Sequence, residues 1–176
     1  MKISEMLLPE YDLEVVHTRK LLQRVPQDKF TWKPHEKSMT LGQLAGHVAE
    51  LPTFLSVIIR TEKLELSNTD LRPFQPASTA ELVEVFNKNA VDTRPTIAEV
   101  SDSDLGNEWQ LTFQGASVYG GRKSLLLLNT LGHMIHHRGQ LTVYLRLVGV
   151  AFPGMYGPSA DEMGIFEGGH PRQADS

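Results

Sequence analysis

The feature that most constrains this chain is its longest apolar segment, about Ser124 to Val148, closed by Gly149. Within it Leu126, Thr130, His133, His137, Leu141, Tyr144 and Val148 recur every three or four residues. That is the period of an α-helix with one stripe facing a core. Glycine is favoured just past a helix end. The segment is therefore read as a long closing helix. Its inner stripe carries two histidines.

Three earlier segments share the period. Ile3, Leu7, Tyr11, Val15, Leu22 and Val25 mark a first helix, which must either start near Pro9 or bend there. Thr40 followed by Gln43 is a capping-box pattern, and Leu41, Leu44, Val48, Leu51, Leu55 and Ile58 follow it, with a kink expected at Pro52. Ser78 and Glu81 repeat the pattern before a third helix through Leu82, Val85 and Phe86, weakened at Pro95. Residues 25–39 and 67–77 read as loops. In 106–115 the period changes: Trp109, Leu111 and Phe113 alternate with polar residues, as in a short strand or hairpin arm. Four helical segments with long first and last members predict an all-α four-helix bundle, with that short strand or hairpin before the last helix. One domain is expected over 1–164, followed by a flexible tail over 165–176.

Composition narrows the function classes. The 176 residues carry 17 Lys and Arg against 21 Asp and Glu, a net charge of −4, and no basic stripe. A nucleic-acid surface needs such a stripe, so no nucleic-acid partner is expected. There is no cysteine, which excludes disulfides and thiolate metal sites. No run approaches 18 apolar residues, so no membrane span is expected. The first residues lack the apolar stretch of a signal peptide, and the expected compartment is the cytoplasm.

Three of seven histidines fall in GHMIHHRGQ, residues 132–140. His133 and His137 stand at i and i+4 on one helix face, where two imidazoles can reach one ion. H-x-x-x-H alone equally describes a solvated pair. Two observations favour an ion. Imidazoles on a core-facing stripe need partners, and His47 lies on the apolar face of the second helix between Leu44 and Leu51. Bundles build metal sites from facing helices in this way. Three imidazoles suit a borderline divalent ion and leave positions open for water or substrate. Met134 stands where a zincin carries its glutamate, so that mechanism is excluded. His136 points about 60° away from His133 and is an edge, interface or proton-transferring residue. Glu50, one turn after His47, either orients a ligand or is solvated. Tyr144 either meets a ligand or packs. His17, His35 and His170 receive no role.

FTWKPHEKSMTLGQLAGHVAEL, with His47, resembles the first motif of the DinB family, the DinB/YfiT-like metalloenzymes. LGHMIHHRGQLTVYLRLVGVAFPGMYGPSADE resembles the family's last-helix motif and the segment after it. The resemblance extends over roughly residues 1–163. It implies a bundle of up-down-down-up connectivity, a homodimer, and a divalent ion (Zn, Ni, Fe or Mn) held by His47, His133 and His137. Related branches include thiol S-transferases and a maleylpyruvate isomerase. The expected function is therefore a metal-dependent enzyme that activates a small thiol or water for transfer to an electrophilic small-molecule substrate. The alternatives are a metal-assisted hydrolase and a non-catalytic dimer with a structural ion. The catalytic residues and general base are not identified.

Overall fold

The computed structural model describes residues 2–68 and 73–163. The tail expected over 165–176 lies outside the described residues. Four long helices dominate: α1 (Ile3–Leu22), α2 (Leu41–Arg60), α3 (Thr79–Glu99) and α5 (Lys123–Leu147). A short α4 (Asp102–Leu105) follows α3. Three strands form one small sheet: β1 (Lys63–Glu65), β2 (Glu108–Phe113) and β3 (Ala116–Arg122), in the order β1-β2-β3. The molecule is thus mostly helical rather than all-α.

Local chemistry explains the helix boundaries. Thr40 closes a full capping box: its Oγ1 accepts from Gln43 N at 3.2 Å, and Gln43 Oε1 accepts from Thr40 N at 2.8 Å. At α3 the box is shifted. Ser78 Oγ accepts from Glu81 N, but the Glu81 carboxylate reaches Ala77 N, one residue further back. Of the two alternatives at Pro9, a start near it is not seen: the helix α1 begins before that proline and runs through it. The helices α2 and α3 likewise continue through Pro52 and Pro95. A 3₁₀ turn, Gln27–Lys29, interrupts the loop after α1. Gly149 ends α5 with φ of 75°, while its N–H donates to Arg146 O and Val150 N donates to Leu145 O. This is the paired-bond helix ending that favours glycine at the left-handed position.

The strand expected around 106–115 is β2, the first arm of a hairpin. Gln114 and Gly115 both have positive φ, 51° and 79°, and join paired Phe113 and Ala116. Two such residues give the turn whose twist suits a two-residue hairpin. The strand β1, not expected from the sequence, pairs parallel with β2. Trp109 is fully buried, donates through Nε1 to Thr61 Oγ1 at 2.9 Å, and meets Phe54 edge-on. The hairpin is thereby pinned against the end of α2.

The core runs between the long helices. The helix α2 packs on α3 and α5, and α1 packs on the same two. Tyr11 donates to Ala90 O, Asn89 to Ala49 O and Thr93 to Pro52 O, so each α3 contact carries a polar tie as well as apolar burial. Lys123 is buried at the start of α5 and donates to Ile59 O at 2.8 Å, which fixes the end of α2 against it. Among the described residues no helix is long and apolar enough to cross a membrane.

Candidate metal centre

The sequence placed His133 and His137 on the inner stripe of the last helix. The structure shifts that stripe. Leu126, Thr130 and Leu141 of that stripe are buried as expected, but the continuous buried line of α5 runs through Leu127, Leu131, Met134, Arg138, Leu141 and Leu145. His133 and His137 each precede a member of that line by one residue, about 100° round the helix. They sit on its shoulder facing α2, with His133 exposed and His137 half-buried. The pair therefore lies at the edge of the core rather than within it.

His47 comes to meet them from α2, 86 residues away in sequence. Its Nε2 lies 3.3 Å from His133 Nε2, and His133 Nε2 lies 2.7 Å from His137 Nε2. The three ligand atoms lie within 4.8 Å of one another, a group that could hold a metal ion. Metal–imidazole bonds of about 2.0–2.1 Å in a tetrahedral shell place two ligand nitrogens roughly 3.3 Å apart. The His47–His133 spacing has that value, and the His133–His137 spacing is tighter. His137 Nδ1 donates to Gln140 Oε1 at 2.7 Å, which leaves its Nε2 as the free lone pair. Such an outer hydrogen bond is the usual means of fixing a ligand histidine's tautomer. The donor set fits a divalent ion.

The surroundings favour the neutral form of His47 and His133. Burial is the main cause that lowers the His47 pKa to about 4, and the neighbouring His137 and His133 add to it. His133 is lowered in the same way, by burial and then by His137 and His136. Neutral imidazoles are the form that coordinates.

Two of the three histidines, His47 and His133, line a cavity of about 640 Å³ together with Glu50, Phe54, Val57 and Leu111 among others. That is the size of a small-molecule site with mostly apolar walls. Gly46 lets the wall form: a Cβ there would lie 2.3 Å from Phe74 O, so only glycine allows residues 73–76 to pack on α2 beside His47. Glu50 Oε2 accepts from Phe74 N at 3.2 Å on the same wall.

The remaining candidates fall elsewhere. Tyr144 packs edge-on against Trp32 and donates to Met39 O. His136 is exposed and touches His137 only ring to ring. It belongs to a second line on α5, Leu125, Leu128, Gly132, His136, Gly139, Val143 and Leu147, spaced by three or four residues. The four aliphatic side chains of that line are all exposed. His35 accepts from Lys37 N, and His17 stacks edge-on against Tyr156. His170 lies outside the described residues.

The sequence reading did not pick out a buried ion pair beside the triad. Arg138 and Glu14 form an ion pair with side chains 2% and 0% exposed. The signal was present: each charge stands on the buried line of its own helix.

The model of the DinB family matches residues 11–172. The chain belongs to the DinB family. Over 166 residues it is 28% identical to the uncharacterized protein YrdA of Bacillus subtilis, covering 90% of this chain and 91% of that one. The B. subtilis protein YjoA is 26% identical over 139 residues, 75% of this chain and 82% of its own. The fold is similar to the crystal structure of DinB-like YjoA, with a TM-score of 0.66 at 20% identity over 85% of this chain and 96% of that one. A DinB-like protein from Bacillus cereus ATCC 10987 gives 0.66 at 24% identity, covering 86% and 97%. A DinB family member from Exiguobacterium sibiricum gives 0.61 at 19%, covering 92% and 98%.

Proposed function

We propose that this DinB family chain is a metal-dependent enzyme acting on a small molecule with an apolar body. The observation that carries the reading is the convergence of three imidazole Nε2 atoms, two of whose rings, His47 and His133, line a largely apolar cavity. A divalent ion bound there would lower the pKa of a thiol or water and supply a nucleophile near neutral pH. His47, His133 and His137 would hold that ion, and Gln140 would orient His137. Phe54, Val57 and Leu111 would take the apolar body and exclude water. Glu50, with one oxygen tied to Phe74 N, would offer the other as proton acceptor.

A small thiol is the preferred nucleophile, because the wider superfamily includes thiol S-transferases. The reaction is placed in the cytoplasm, with neither nucleic acid nor membrane as partner. The long helices are read as a four-helix bundle, up-down-down-up, forming one domain over 1–164. A homodimer is proposed through the exposed line of α5. Gly132 and Gly139, which have nothing within 4 Å of a would-be Cβ, would let a second helix approach closely there.

Incubating metal-loaded protein with small thiols and aryl or alkyl electrophiles tests the reading. Thiol-dependent consumption that disappears in His133→Ala is expected. A thiol-independent rate would assign a hydrolase instead. No turnover, with a large fall in melting temperature on metal removal, would assign a structural ion. Sedimentation of the parent and of Leu128→Glu tests the dimer: the parent should sediment as a dimer and the variant as a monomer.

A further inference from the structure

The helix α5 is apolar on opposite sides. Leu127, Leu131, Met134, Leu141 and Leu145 are buried, while Leu125, Leu128, Val143 and Leu147 are more than half exposed. Burial alone therefore defines the rotation of this helix poorly, since turning it exchanges one set of aliphatic side chains for another. Yet rotation decides whether His133 and His137 face His47.

Polar contacts narrow the choice: Lys123 ties the start of α5 to Ile59 O and Tyr144 ties its far end to Met39 O, and between them stands one buried charge, Arg138. Arg138 directly follows His137, so the two side chains leave the helix about 100° apart. His137 faces α2, and Arg138 faces α1. The Arg138 guanidinium pairs with Glu14 Oε2 and donates to Thr18 Oγ1 at 3.2 Å and Glu14 O at 3.3 Å. Its Nη2 donates to the Tyr156 hydroxyl at 2.7 Å, which in turn donates to Glu14 Oε1 at 2.6 Å. Tyr156 belongs to the segment after α5, which folds back on that helix. There Arg146 holds Asp161 by two bonds of 2.9 and 2.8 Å. A buried charge has few alternative partners, so such a network selects one arrangement among several of similar burial.

We infer that Arg138, Glu14 and Tyr156 form a rotational key that sets α5 so that His133 and His137 meet His47. They are positioning residues for the metal centre. The affinity part of the test rests on the metal reading; the geometric part does not.

The test is proton NMR of metal-free protein, with Zn²⁺ titration in parallel. The ring centroids of His47 and His137 lie 4.7 Å apart, and those of His133 and His137 lie 4.5 Å apart. The first pair reports between helices, and the second reports within α5 whatever its rotation. Replacing the pair by apolar residues, Glu14→Leu with Arg138→Met, preserves volume and burial. The double variant is expected to lose the His47–His137 cross-peak, keep the His133–His137 one, and bind Zn²⁺ about 10–100-fold more weakly. Arg138→Lys, which keeps the charge but loses the fork, is a second variant with a smaller expected effect in the same direction. Leu127→Ala is the control for simple destabilisation and should leave the interhelix cross-peak intact. Retention of that cross-peak and of Zn²⁺ affinity within twofold in both Arg138 variants would overturn the inference. A parent that shows the cross-peak but binds no Zn²⁺ would overturn the metal reading and leave the key to be judged on the cross-peaks.

Discussion

Two polar clusters share α5, and they are built on opposite principles. Around Arg138 charge meets charge inside the chain: the guanidinium pairs with the buried Glu14 carboxylate, and the Tyr156 hydroxyl, on an exposed side chain, bridges the two from the rim. Around His133 three acceptor nitrogens converge, and the second nitrogen of His137 is already committed to Gln140. The first cluster is complete within the chain. The second has lone pairs pointing at one small region beside a cavity. A self-satisfied buried network is a structural element, whereas converging lone pairs at an accessible wall call for a cation. Neighbouring residues on one helix thus serve different ends because the helix turns them toward different partners.

Four experiments can break or sharpen that contrast. Arg138→Ala strands the Glu14 carboxylate in the core, and losing one partner of a buried pair costs about 3–5 kcal/mol. Denaturant unfolding should show a loss of that size, and a loss below about 1 kcal/mol would mean that the pair is not sealed. His47→Ala removes a ligand and leaves the closed cluster intact. Its Zn²⁺ affinity by calorimetry should fall by more than about a hundredfold, beyond the cost of losing an outer partner, while metal-free unfolding changes little. Gln140→Ala frees the His137 ring without touching a ligand, and should weaken Zn²⁺ about 10–100-fold. Unchanged affinity would remove Gln140 from the site.

The smallest expected effect is on pH. The folded-state pKa of His47, about 4, lies below the ordinary value of 6.5, so between these values the unfolded chain binds more protons. Metal-free stability should fall as pH drops through that window and be flat, as far as these histidines contribute, above it. His133 shifts in the same direction. Zn²⁺ affinity of the folded protein should hold through most of that window and fall only as pH approaches about 4, where protons begin to compete for the His47 nitrogen. In the His47→Ala variant the His47 share of the stability dependence should vanish.

Much of this was legible in the sequence, for reasons that differ by element. The box at Thr40 and Gln43 was readable because both halves are local, three residues apart. The triad was readable because i,i+4 spacing and placement on helix faces survive without knowledge of the packing. The sequence erred on how deep the histidines sit. Its stripe was drawn through His133 and His137, whereas the buried line passes one residue on, through Met134 and Arg138. Arg138 and Glu14 drew no reading because either one alone on an apolar line is costly, and only the fold shows that they meet. The strand β1 escaped notice because Lys-Leu-Glu has no alternation long enough to count, and it becomes a strand only by pairing with β2. The second hairpin arm, Ala116–Arg122, is almost wholly exposed and so carries little apolar pattern.

The central claim is that His47, His133 and His137 together hold one divalent ion. The most direct measurement is the metal content, by elemental mass spectrometry, of protein purified without an affinity tag, set beside that of His47→Ala. The account predicts close to one equivalent of a divalent transition metal in the parent and almost none in the variant. A parent free of metal that also fails to take up Zn²⁺, or a His47→Ala protein that retains a full equivalent, would contradict it.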